Sequence, residues 1–97
     1  MKNLLKTLAK TGCANIITAL YKQKLSFNKI AKMVDYPSTA TRRLNELIQH
    51  GIVERIVLQN RQRSVEYKLT FKGKDVAEVL IKLEQIETAE PKEKKRK

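Results

Sequence analysis

The 97-residue sequence has one cysteine, no tryptophan, three glycines and two prolines. Each scarcity removes a class of protein. The lone Cys13 can form no internal disulfide and anchors no multi-cysteine metal cage. Gly12, Gly51 and Gly73 stand apart and supply no glycine-rich loop to cradle a phosphate. No apolar run approaches the roughly 20 residues that a membrane-spanning helix needs. The opening MKNLLKTLAKTG, interrupted by Lys6 and Lys10, is too poor in apolar residues for a signal peptide. A cytoplasmic location is therefore expected. Aromatic residues are 5% of the chain, too few to build stacking platforms for single strands. Asp35 and Asp75 form no paired-carboxylate motif, and Cys13 and His50 have no ligand or triad partners at useful spacing. Nothing here is arranged for catalysis, a metal or a cofactor, so a non-enzymatic protein is expected.

What the chain has in excess is positive charge, a formal +11. Its distribution is uneven. Residues 1–73 hold 14 basic and 4 acidic side chains, a net of +10. Residues 74–90 carry a net of −3, and residues 91–97 a net of +4. A basic body attracts polyanions, and nucleic acid is the usual one. Lysine-rich surfaces also serve simply to solvate, so the organisation of the chain has to decide.

Leu4, Leu5 and Leu8 form a short helical stripe behind Asn3 as a cap, and Thr11-Gly12 breaks it. Cys13, Ile16, Ile17 and Leu20 repeat at helical spacing through about Gln23. Ser26 is expected to cap a helix whose apolar positions are Phe27, Ile30, Ala31 and Val34. Pro37 marks a turn, since it restricts the preceding residue to extended conformations. Ser38 is then expected to cap a third helix carrying Ala40, Leu44, Leu47 and Ile48 on one face, closed by Gly51. Two short helices joined by a tight turn, with a third before them, make a helix-turn-helix.

The period then changes. Residues 52–58 are rich in β-branched side chains, and Val65, Tyr67 and Leu69 alternate with polar residues, so a hairpin is expected around the polar tip 59–63. Thr70 is placed to cap a last helix with Val76, Val79, Leu83 and Ile86 at 3-4-3 spacing, widened by Leu80. From Ala89 onward the chain is charged and lacks a core face, which predicts disorder. The expected fold is α+β, mainly α: a winged helix-turn-helix over residues 1–88, with a two-stranded wing, a C-terminal pairing helix and a disordered basic tail over 89–97.

Three stretches carry a family resemblance. Ser26-Phe27-Asn28-Lys29-Ile30 resembles an "F-x-E-L" helix start, with Lys29 where an acidic residue is common. Residues 38–47, followed by His50-Gly51-Ile52-Val53-Glu54-Arg55, resemble a recognition helix and its exit. Val65-Glu66-Tyr67-Lys68-Leu69-Thr70, then Gly73, is similar to a "V-E-Y-x-L-T-x-x-G" ending of the wing. Together they resemble the HxlR type of winged-helix regulator, and MarR- and PadR-like regulators share the "L-T-x-x-G" portion. The resemblance implies a dimer that sets two recognition helices in adjacent major grooves of double-stranded DNA.

On a helical wheel Arg42 points almost directly away from Leu44, Leu47, Ile48 and Ala40. Asn45 and Gln49 share that side, with Ser38 and Thr39 near the amino end. Arg can pair bidentately with guanine, and Asn or Gln with adenine, while hydroxyls hold phosphates. Thr41 and Arg43 lie on the flanks, where Arg43 suits a phosphate. Glu46 is expected on the outward side, an unfavourable mark for DNA. Arg61 and Arg63, with no acidic residue beside them in the wing tip, suit the backbone or a narrow minor groove. The seam Val76, Val79, Leu83 and Ile86 suits pairing with a second copy, with Leu4, Leu5 and Leu8 packing against it. Cys13 is expected to be a buried thiol. Lys92, Lys94, Lys95, Arg96 and Lys97 serve equally as a phosphate tether or a solubilising tail. A sequence-specific regulator, more often a repressor, leads these readings. A low-specificity architectural DNA binder and an assembly module for protein or RNA remain the alternatives. No small-molecule ligand can be inferred.

Overall fold

In a computed structural model, residues 3–59 and 64–88 are described. The chain runs α1 (Leu4–Leu8), α2 (Cys13–Lys22), β1 (Leu25–Ser26), α3 (Phe27–Ala31), α4 (Pro37–Gln49), β2 (Val53–Val57), β3 (Val65–Leu69) and α5 (Phe71–Thr88). The wing-tip residues Arg61 and Arg63 and the basic tail lie outside the described residues.

Helix α2 buries the whole stripe expected of it, Cys13, Ile16, Ile17 and Leu20. These meet Ile30 of α3, Ala40, Leu44 and Leu47 of α4, Ile52 just before β2, and Val53, Tyr67 and Leu69 of the sheet in one core. Burying each large aliphatic side chain fully contributes about 1.5–3 kcal/mol, so this cluster is the main source of stability. Gly12 breaks α1 from α2 with a left-handed φ of 90°. A Cβ there would also sit 2.7 Å from Val34 Cγ1, so glycine is required by both conformation and space.

Three local expectations need correction or extension. Helix α3 ends at Ala31, one turn earlier than the apolar spacing to Val34 suggested, because Lys32 and Met33 close a turn on Asn28 and Ile30. Val34 is half-buried all the same, against Gly12. Helix α4 begins at Pro37 rather than being capped by Ser38, since proline at the first position has its φ preset and lacks only an N–H that would have no partner there. Tyr36 is the cap residue and uses no side-chain bond. The two-stranded wing forms as expected from β2 and β3, and a third strand extends its sheet, in the order β1-β3-β2, all antiparallel. The added strand is only Leu25–Ser26, paired with Tyr67 and Glu66, and two residues carry no readable period.

Helix α4 closes as expected. Gly51 at φ 74° is followed by Gly51 N–H donating to the Ile48 carbonyl (2.9 Å) and Ile52 N–H to the Leu47 carbonyl (2.9 Å). These are the paired bonds of a Schellman motif. The "L-T-x-x-G" stretch then clasps this exit. The Thr70 hydroxyl accepts from Gly73 N–H (3.0 Å), capping α5, and lies 2.5 Å from the Gly51 carbonyl to which it donates. Thr70 N–H donates to the Ile52 carbonyl (3.0 Å) and Lys72 Nζ to the His50 carbonyl (2.8 Å). Gly73 lets α5 lie directly on this turn: a Cβ would come within 2.1 Å of the Ile52 oxygen. One clasp thus fixes α4, the wing and α5 relative to one another.

Candidate nucleic-acid interface

Helix α4 turns Ala40, Leu44 and Leu47 into the core, which forces its opposite side outward. Ser38, Thr41, Arg42, Asn45 and Gln49 are exposed there, and Thr39 is half-buried at the amino end. Within the described residues Arg42, Thr41 and Asn45 make no hydrogen bond or ion pair, so their polar ends are available.

Arg43 belongs to a different arrangement. Its Nε donates to the Thr11 carbonyl (2.9 Å) and its Nη1 pairs with Glu46 Oε1 (3.2 Å), leaving the side chain only 13% exposed. Glu46 also takes Lys10 Nζ at 2.6 Å. The hydrogen bond from Lys10, together with the charges of Lys10 and Arg43, holds the Glu46 carboxyl below the usual glutamate range. The Lys10–Glu46–Arg43 group therefore braces α4 against the α1–α2 junction. Glu46 does not lie on the outward side as its wheel position implied, because two cations at the flank draw it round. This removes the one negative mark from the outward side of α4.

A cleft of about 680 Å³ separates α4 from the wing. Thr41 and Asn45 form one wall, Arg55 and Ser64 the other, and Asn28 of α3 lies at one end. Arg55 pairs across the sheet with Tyr67 and, by strand alternation, shares the face of Val53 and Val57. Tyr67, on the central strand β3, is buried, while Arg55, on the edge strand β2, is exposed and lines the cleft. Arg55 has no partner among the described residues. Sequence reasoning missed Arg55 and Asn28. The available signal was an arginine in phase with two valines, which must leave the core-side face through an opening.

The expected pairing surface divides. Leu4, Leu8 and Val76 pack against the chain's own core, and Ala77 and Gly73 bury the inner side of α5. Leu5, Val79, Leu83 and Ile86 are left exposed, at 80%, 60%, 56% and 64%. Cys13 is fully buried, and burial pushes its thiol up. His50 Nε2 meets the Thr7 hydroxyl at 3.0 Å, beside the carboxyl end of α4. Among the described residues no group of three or more His, Cys, Asp or Glu side chains could hold a metal. Nor, among them, is any helix long and apolar enough to cross a membrane.

The profile of the HxlR-like helix-turn-helix family matches residues 8–95. No curated protein sequence matches the chain. Among solved structures, a possible HxlR family transcriptional factor from Thermoplasma volcanium is 30% identical, with a TM-score of 0.77 over 90% of this chain and 80% of that one. The reduced form of the transcriptional regulator YodB from B. subtilis is 29% identical, with a TM-score of 0.76 over 93% and 92%. A variant of Lactococcus lactis ZitR in its apo form shares the fold at 22% identity and a TM-score of 0.73, over 87% of this chain and 64% of that one. A three-stranded sheet beside a helix-turn-helix, a clasp built on Leu69-Thr70 and Gly73, and a family match over nearly the whole chain converge: the protein belongs to the HxlR-like helix-turn-helix family of DNA-binding transcriptional regulators.

Proposed function

We propose that the protein binds double-stranded DNA sequence-specifically as a homodimer and represses transcription by occluding its site. The observation that carries this reading is the outward side of α4, where Arg42, Thr41 and Asn45 stand exposed and without partners beside the cleft under the wing. In the major groove Arg42 reads guanine and Asn45 adenine, with Gln49 further along the same side. Ser38, Thr39 and Thr41 hold the flanking phosphates. Arg55 meets the strand that passes between α4 and the wing, and Arg61 and Arg63 continue that contact at the tip. Arg43, engaged with Thr11 and Glu46, contributes by bracing α4 rather than by touching DNA. Residues 1–88 act as one unit, and the basic residues beyond 91 add nonspecific attraction.

Pairing uses the exposed stripe of α5, Val79, Leu83 and Ile86, together with Leu5. Two copies joined there present their recognition helices about one helical turn of DNA apart, which predicts an inverted-repeat site. The place of action is the cytoplasm of a bacterial or archaeal cell, where the DNA is.

Selection of bound duplexes from a random pool, repeated at two salt concentrations, tests the proposal. A narrow inverted-repeat consensus at both salts supports it. Binding without a consensus, lost steeply as salt rises, supports an architectural DNA binder instead, a reading favoured by the formal charge of +11.

A further inference from the structure

A second cavity, of about 460 Å³, lies where α2 ends, β3 ends and α5 begins. It shares no lining residue with the cleft beside α4. Its volume falls within the range of about 300–1,000 Å³ typical of small-molecule pockets. Leu20 and Leu69 form a buried apolar floor, and Tyr21 and Phe71 supply aromatic walls. The Tyr21 hydroxyl donates to Glu78 Oε2 at 2.9 Å, which fixes that ring. Phe71 is 88% exposed, an unusual position for a phenylalanine.

The charge around these rings is positive on balance. Four lysines and Glu54 line the cavity, with Lys24 paired to Glu66 (3.7 Å) and Glu78 holding Tyr21, so the excess rests on Lys22, Lys68 and Lys74. Lys22 and Lys68 have no partner among the described residues. Lys74 Nζ stands 5.6 Å from the centre of the Phe71 ring, so cation and aromatic face already share one wall. Lysines that focus a positive field over an apolar, aromatic floor fit one ligand chemistry: a flat ring bearing a negative charge. The ring stacks on Phe71 and Tyr21, and the charge meets the lysine rim. We propose that this cavity binds a small planar aromatic carboxylate. The site is independent of the DNA-binding surface and is tested without DNA.

The test is a titration of the ¹⁵N-labelled full chain with 1-naphthoate, followed by amide shifts. Naphthalene-1-methanol, which lacks the charge, and cyclohexanecarboxylate, which lacks the flat ring, run alongside. Saturable shifts centred on residues 20–24 and 68–74 are expected, with 1-naphthoate the tightest of the three. Phe71→Ala should weaken 1-naphthoate by about 2- to 12-fold, the span of one aromatic contact, and Phe71→Leu should do the same while keeping the bulk. Lys68→Ala with Lys74→Ala should weaken 1-naphthoate but leave naphthalene-1-methanol unchanged. All these side chains are exposed, so the variants keep the fold. Shifts that do not saturate, that centre on α4, or that persist with equal affinity in both Phe71 variants would overturn the proposal.

Discussion

Replacing Gly73 by alanine separates local preference from tertiary fit, because the two predict opposite signs. Gly73 sits in the first turn of α5, and alanine is the better helix former by about 1 kcal/mol. On propensity alone Gly73→Ala stabilises. In the fold, however, the new Cβ would lie 2.1 Å from the Ile52 carbonyl oxygen, 3.0 Å from its carbon and 3.2 Å from Leu69 Cβ. The nearest obstacle is backbone, and that carbonyl is itself the acceptor for Thr70 N–H at 3.0 Å. Relief requires α5 to lift from the exit of α4. Overpacking of this kind costs about 1–3 kcal/mol. Lifting also weakens the Thr70 bonds to Gly51 and Ile52, at about 0.5–1.5 kcal/mol each. Against the gain in propensity, the net is a destabilisation of about 1–5 kcal/mol, or roughly 4–8 °C in Tm for each kcal/mol in a domain of this size. Urea unfolding at fixed protein concentration measures it, the fixed concentration keeping any dimer contribution constant. An alanine variant as stable as the parent, or more so, would show that α5 does not seat on Ile52 as described.

Further predictions follow from the brace, the wing and the pairing helix. Glu46 titrates below its ordinary value in the folded state, so its stabilising effect is complete above the unfolded glutamate value of about 4.3 and is lost as pH falls through the folded value. Glu46→Gln should therefore destabilise at neutral pH and flatten the acid limb of a pH–stability curve; parallel curves for parent and variant would remove the Lys10–Glu46–Arg43 brace. Replacing Arg61 and Arg63 with alanine should reduce the slope of log affinity against log salt by about 0.9 per lost phosphate contact, and an unchanged slope rules the wing tip out. Leu83→Asp puts a charge at the middle of the exposed α5 stripe on both copies, and should raise the dimer dissociation constant by at least about tenfold through lost apolar burial. Sedimentation showing a monomeric parent at micromolar concentration would sink the dimer itself.

Much of the fold was legible in the sequence because its strongest signals are local. The stripe from Cys13 to Leu20 is buried in full, and Gly51 ends α4 with the left-handed turn its position implied. Thr70 caps α5, and the change from helical to alternating period marks the hairpin. What escaped depends on distant partners. Strand β1 exists only because β3 offers an edge to Leu25 and Ser26. The wheel placed Arg43 and Glu46 by angle alone, yet their long side chains turn toward Thr11 and Lys10, more than thirty residues away. Arg55 reads as one residue of an apolar strand until the edge position of β2 beside the cleft is seen. Leu4, Leu8 and Val76 carry the same period as their exposed neighbours Leu5 and Val79, and only packing tells them apart.

The central claim, that α4 reads base pairs through its outward side, is tested most directly at Arg42. Duplex selection carried out in parallel with the parent and with Arg42→Ala compares two consensus sequences under the same conditions. The account predicts that the variant loses its preference for guanine at one position in each half-site, at about 1–3 kcal/mol, while the other positions stay as they are. An identical consensus, bound with equal affinity by both proteins, would contradict it.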